Sequence, residues 1–181
     1  MTAMVTEALL VMPDALERAR RGDHEAFAEI ITEHESMVYS LAYHFFHDRG
    51  RAEEIAQDVF LQLYRSLASL ESPSHVVHWL RQVTTRRCID QVRRTRLRAV
   101  SLEEAGEIAG KERSSDPLLG RKLRELIAAL PEKQRMIVTL RYQEDLDPSE
   151  ICNIVNLPVN TVKSHLHRAL LALRRQLGDN A

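Results

Sequence analysis

The stretch from Pro148 to Leu173, PSEICNIVNLPVNTVKSHLHRALLAL, decides how this chain is read. Its apolar residues recur at helical spacing in two blocks: Ile151, Ile154 and Val155, then Val162, Leu166, Ala169, Leu170 and Leu173. Asp147-Pro148-Ser149-Glu150 opens the first block with Asp at the cap, Pro at the first helical position and Glu placed to reach back. Asn156-Leu157-Pro158-Val159 interrupts the pattern, and Asn160 can cap the second block. A short helix, a turn and a longer amphipathic helix make a helix-turn-helix. The second helix begins with Asn160, Thr161, Lys163, Ser164, His165, His167 and Arg168, and residues 160–177 contain no acidic side chain. A helix entering the major groove needs such donors for base edges and cations to displace phosphate counterions. An ordinary helical hairpin with a solvated basic face has the same pattern, so both readings stay open on spacing alone.

Upstream, the apolar period is again helical, and no alternating strand segment occurs. With 181 residues, 44% hydrophobic and 28% charged, the chain has the composition of a globular protein, one domain or two small ones. Only 5% of residues are aromatic, so the core is built of Leu, Ile, Val and Ala. A first helix fits Asp14 to Arg21, stopped by Gly22, and Asp23 caps a longer one with the stripe Phe27, Ile30, Ile31, Val38, Leu41, Ala42 and Phe45. After a break at His47-Asp48-Arg49-Gly50 come Ile55, Val59, Leu63 and Leu67, flanked by Phe60 and Tyr64. A polar turn at Glu71-Ser72-Pro73-Ser74 precedes a helix carrying Val76, Trp79, Leu80, Val83, Ile89 and Val92.

That helix is strongly cationic. Arg81, Arg86, Arg87, Arg93, Arg94, Arg96 and Arg98 are opposed within it only by Asp90, which suits nucleic acid as well as it suits a solvated face. The preceding helix has the opposite sign, with Glu53, Glu54 and Asp58 beside Gln57. Residues 100–116 are acidic and poor in apolar side chains, the composition of a flexible linker. The expected architecture is all-α: a leader over residues 1–12, a helical domain over 13–99, the linker, and a helix-turn-helix domain over 117–181. Asp116-Pro117 is placed to start the second domain.

Several chemistries lack their motifs. His44/His47 and His75/His78 share helix faces, but no H-E-x-x-H or cysteine pattern accompanies them, so no metal or other cofactor is expected. The sequence has no phosphate-cradling glycine loop and no G-x-S-x-G elbow, so no catalytic centre is expected either. Cys88 and Cys152 give no disulfide framework and suit a reducing compartment. The longest apolar run near the N-terminus, Ala8 to Met12, falls far short of a membrane span.

Taken in order, the blocks RRGDHEAFAEIITEH, AEEIAQDVFLQLYRSL, HWLRQVTTRRCIDQVRR, LPEKQRMIVTLRY and DLDPSEICNIVNLPVNTVKSHLHRALLALRRQL resemble the bacterial sigma factors of the extracytoplasmic-function group. The resemblance covers nearly the whole chain after Met12. It implies a cytoplasmic bacterial protein that binds core RNA polymerase and directs promoter-specific initiation. Glu54, Gln57, Asp58 and Leu61 would face the clamp helices of the largest subunit, and the second domain the flap of the second-largest. The loop from Leu70 to Val77, with Leu70, Glu71, Ser74 and His75, would capture an unstacked base of the −10 element. Arg86, Arg93 and Arg94 would contact DNA of the same region. Asn160, Thr161, Lys163, Ser164, His165, His167 and Arg168 would look toward the −35 element. Trp79 matches a family tryptophan and suits core packing better than base stacking. An anti-sigma factor is the further partner implied; membrane insertion and a homo-oligomer are not.

The sequence departs from the family pattern at Asp58, where Glu is usual, at Arg86, where many members carry Asn, and at His165, where Arg is usual. Asn156 and Asn160 stand in for turn glycines, and Asn tolerates the left-handed conformation. Three other readings compete: a stand-alone helix-turn-helix regulator bound to an operator, a helical adaptor whose basic faces meet acidic proteins, and a metal-dependent hydrolase using the histidine pairs. The first would need a dimer surface that the sequence does not display.

Overall fold

The structure, a computed structural model, describes residues 15–101 and 118–178, and all regular elements among them are helical. Helix α1 occupies residues 15–20, α2 His24–Phe46, α3 Arg49–Ser66 and α4 Pro73–Ser101, with a 3-10 turn at Leu67–Ser69. Beyond residue 117 come α5 (Leu118–Ala128), α6 (Glu132–Tyr142), α7 (Pro148–Val155) and α8 (Val159–Gly178). The leader, most of the acidic linker and the Asp116-Pro117 start lie outside the described residues.

Each junction follows from a few side chains. Gly22 takes φ +93°, a conformation that costs glycine little, and turns the chain into α2. Asp23 caps α2, its carboxylate accepting from the N–H groups of Glu25 (2.9 Å) and Ala26 (3.1 Å). Arg18 holds the other carboxylate oxygen at 2.8 Å. His47 closes α2 in the left-handed region (φ 52°), and Asp48 caps α3 by accepting from the Arg51 N–H at 3.0 Å. The break at 47–50 is therefore narrower than the sequence suggests, and Gly50 lies inside α3. Ser72 caps α4, accepting at Oγ from the His75 N–H at 3.2 Å, and Pro73 stands at its first helical position.

Helices α2, α3 and α4 close a bundle around Ile30, Leu41, Phe45, Leu63, Leu70 and Leu80, all fully buried. Each such side chain contributes about 1.5–3 kcal/mol by leaving water. Trp79 packs against this core, as expected of a structural tryptophan. In the second unit, Leu130, Val138, Ala169 and Leu173 form a smaller cluster with Leu126 and Ile127 of α5. The two units are not separate. Met136, Ile137, Leu140, Ile151 and Val162 belong to the same buried cluster as the residues of α2–α4. Helices α6 and α7 lie on α4, and α6 lies on α2. The buried threonines Thr84 and Thr139 satisfy their hydroxyls on the carbonyls of Leu80 (2.7 Å) and Arg135 (3.0 Å).

Candidate nucleic-acid and polymerase interface

The helix-turn-helix is built from local bonds. Asp147 accepts from the N–H groups of Ser149 (2.7 Å) and Glu150 (3.0 Å), while Glu150 accepts from the Asp147 N–H at 2.8 Å, a complete capping box. The Ser149 hydroxyl donates to the same Asp147 oxygen, and it and these N–H groups hold the Asp147 carboxyl below the usual carboxylate range. Asn156 ends α7 at φ 52°, with its N–H on the Cys152 carbonyl. Asn is the residue other than glycine best suited to that turn. The N–H groups of Thr161 and Val162 donate to the Pro158 carbonyl at 2.9 and 3.0 Å, so α8 starts before Asn160. Asn160 is consequently an exposed residue of the first turn, neither the cap nor a left-handed position.

Val162, Ala169 and Leu173 bury one side of α8. Asn160, Lys163, Ser164, His167 and Arg168 remain exposed on the other, and Thr161 is half-buried at its edge. His165 departs from this set. It is half-buried, and burial, Arg168 and Lys133 of α6 disfavour its charged form.

On α3, Glu54, Gln57, Asp58 and Leu61 are all exposed, Leu61 at 52%. Their spacing places them on one helix face. Beside them a cleft of about 530 Å³ opens between α2 and α3, lined by Ile31, Tyr39, Ala56, Gln57 and Phe60 with Glu35 and Glu53 among its polar residues. Arg87 of α4 ties this face down, with Nη1 3.7 Å from Asp58 Oδ2 and Nη2 donating to Gln62 at 3.0 Å.

The start of α4 only partly matches its expected role. Glu71, Ser74 and His75 are exposed, and the Glu71 N–H approaches His75 Nδ1 at 3.4 Å. Leu70 is a correction: its side chain is fully buried in the core and has no surface to offer a base. Arg86, Arg93 and Arg94 are exposed along α4. Ser74 and His78 line a cleft of about 390 Å³ whose far wall is Glu150, Asn153 and Ile154 of α7, so the two units meet beside the candidate base-capturing loop.

This order of an acidic face, a cationic helix and a helix-turn-helix has counterparts in known proteins. Residues 30–98 match the family model for sigma-70 region 2, and residues 120–173 match that for sigma-70 region 4. The sigma factor SigV of Bacillus subtilis is 31% identical over 147 residues, covering 81% of this chain and 88% of that protein. The chain belongs to the sigma-70 family, in its extracytoplasmic-function group. The B. subtilis ECF sigma factor SigW is 28% identical over 184 residues, 94% of this chain and 98% of SigW. The fold is shared with the sigma factor RpoE of Bartonella quintana, solved in complex with the anti-sigma factor NepR (TM-score 0.66, 18% identity, 84% of this chain and 96% of that one).

The chain is thus a polymerase-associated sigma factor, a DNA-binding transcription initiation factor. Residue spacing missed several inward-facing polar groups of this sigma factor. His34 is buried with Nε2 unpartnered, and burial lowers its pKa. Arg135 lies over the Phe45 ring at 5.1 Å and donates to the carbonyls of Ala128 and Leu130. Both look like surface residues in a helical pattern, and only tertiary packing turns them inward. No described helix is long and apolar enough to cross a membrane, and no described residues form a metal-binding group.

Proposed function

We propose that this sigma factor recognises a bipartite promoter and holds the polymerase core through α3. Helix α8 reads the −35 element from its exposed face, Lys163, Ser164, His167 and Arg168 carrying the contacts and Asn160 and Thr161 flanking them. The loop at Glu71–His75, with Arg86, Arg93 and Arg94, engages the −10 region and stabilises the melted strand. Unstacking costs on the order of a few kcal/mol per step, and contacts made only to the open strand offset it. Glu54, Gln57, Asp58 and Leu61 face the clamp helices, the acidic members giving charge complementarity and Leu61 an apolar anchor. The second unit meets the flap. An anti-sigma factor is the regulatory partner, and the cytoplasm the compartment.

The observation that carries this reading is the exposed, acid-free polar face of α8, set in the same chain as the exposed Glu54–Leu61 face of α3. The test is transcription from a promoter-fragment library by bacterial core polymerase with and without the purified chain. Discrete starts that need both proteins are expected. Tight DNA binding by the chain alone, with no effect on starts, would mean an operator-bound regulator instead. Asp58→Arg is expected to weaken assembly with core while leaving α8's contacts with duplex DNA intact; normal assembly removes α3 from the polymerase face.

A further inference from the structure

Helix α4 is held by the helix-turn-helix unit through charge as well as through the shared core. Arg93 Nε lies 3.4 Å from one oxygen of the Glu132 carboxylate, and Arg96 Nη1 lies 3.9 Å from the other. Glu132 is well covered (17% side-chain exposure), whereas Arg93 and Arg96 keep 50% and 70%. Its own N–H at the start of α6, then Arg93 and Arg96, hold its carboxyl below the usual range. Further along, Arg81 Nη2 stands 3.5 Å from the Glu144 carboxylate, and Gln82 donates to the Asn153 carbonyl at 2.8 Å. Thr85 donates to Met136 Sδ at 3.6 Å. Residues 81, 85, 93 and 96 follow one stripe of α4. Arg86 and Arg94 stay exposed.

One carboxylate shared by two arginines a turn apart is the arrangement a DNA phosphate takes between two guanidiniums. We propose that Glu132 is an internal stand-in for that phosphate, so that the chain's own second unit and duplex DNA compete for Arg93 and Arg96. The DNA role of Arg93 rests on the promoter reading above; the competition goes beyond it. In the closed chain Glu132 offsets one of the two positive charges and holds both side chains toward α6, and α7 walls the cleft at Ser74 and His78. DNA must displace the unit, and its apparent affinity falls by the fraction of chains that are open.

The test uses the full chain and a mixed-sequence DNA duplex followed by fluorescence anisotropy at low salt. Glu132→Gln is expected to tighten binding about three- to tenfold, from the loss of two partly exposed pairs. Glu125→Gln, the same charge change at an exposed α5 position, serves as the control and is expected to stay within about twofold of the parent. Equal effects of the two substitutions overturn the proposal, because charge alone would explain them. Small-angle scattering of Glu132→Arg, which sets a cation against Arg93 and Arg96, is expected to show an expanded chain. A folded variant, verified by circular dichroism, that stays as compact as the parent overturns the proposal as well. Neither readout requires polymerase. A chain that directs no transcript starts can still pass both, and a chain that directs them can fail both.

Discussion

Met136 offers a quantitative check on the packing of the two units. Its side chain is fully buried between α6 and α4 and accepts the Thr85 hydroxyl, itself buried. Truncation to Ala leaves only the Cβ in a site that cannot collapse freely, because helices wall it. Large-to-small changes in such sites cost about 2–5 kcal/mol. The Thr85 hydroxyl also loses its acceptor, a minor addition because sulfur is a weak one. The expected loss for Met136→Ala is therefore about 3 kcal/mol, read as a lower urea midpoint at unchanged slope. Met136→Leu conserves volume and is expected to cost less than about 1.5 kcal/mol. A double-mutant cycle with Thr85→Ala isolates the contact between units, with an expected coupling of about 0.5–1 kcal/mol. If the two substitutions add within about 0.3 kcal/mol, or the chain unfolds in two separate transitions, the shared core does not exist in solution.

Three further outcomes are expected. Lys163→Ala is expected to weaken binding to a −35-containing duplex and to lower the slope of log K against log salt by about one, since one phosphate or base-edge cation is lost; an unchanged slope removes Lys163 from the interface. His47 has its pKa pushed down to about 4 by burial, then by His44, Arg124 and Arg135. The folded chain therefore binds fewer protons there than the unfolded chain between about pH 6.5 and 4, so the stability from neutral His47 is present above pH 6.5 and is lost as pH falls toward 4. His47→Asn, which keeps the left-handed turn, is expected to make that decline shallower, and equal slopes in parent and variant urea titrations would contradict the assignment. Cys88 is fully buried and its thiol is pushed up by burial, whereas Cys152 is half-exposed. A thiol reagent is expected to modify one cysteine in the native chain and both in urea; rapid modification of both in native buffer would place Cys88 at the surface.

What the sequence displays in advance is what short-range chemistry determines. Asp23 and the Asp147–Glu150 box work within three residues, so their caps are legible from spacing, and so is the apolar side of α8. Charges that fall on one face, as on α3, are legible for the same reason. Leu70 was not, because it follows a helical run and precedes a polar turn, and only the bundle's closure decides that it points inward. Asn160 misled because Pro158 supplies the first carbonyl of α8 two residues earlier. His165 shares its sequence neighbourhood with the exposed polar residues of α8, but it is half-buried and Lys133 of α6 lies near it. The pairs of Arg93 with Glu132 and Arg81 with Glu144 join positions far apart in the chain, where no local period can register them.

The order of the helices along the chain has a consequence during synthesis. Helix α4 is finished before α6 and α7, which cover it, have been made. At about 5–20 residues per second, translation from Leu97 to Val155 takes about 3–12 s. Through those seconds the emerging three-helix bundle displays the Arg81–Arg96 stripe with no occupant of its own. A ribosome-bound chain is thus a form of this protein in which another molecule can reach α4 without a rival.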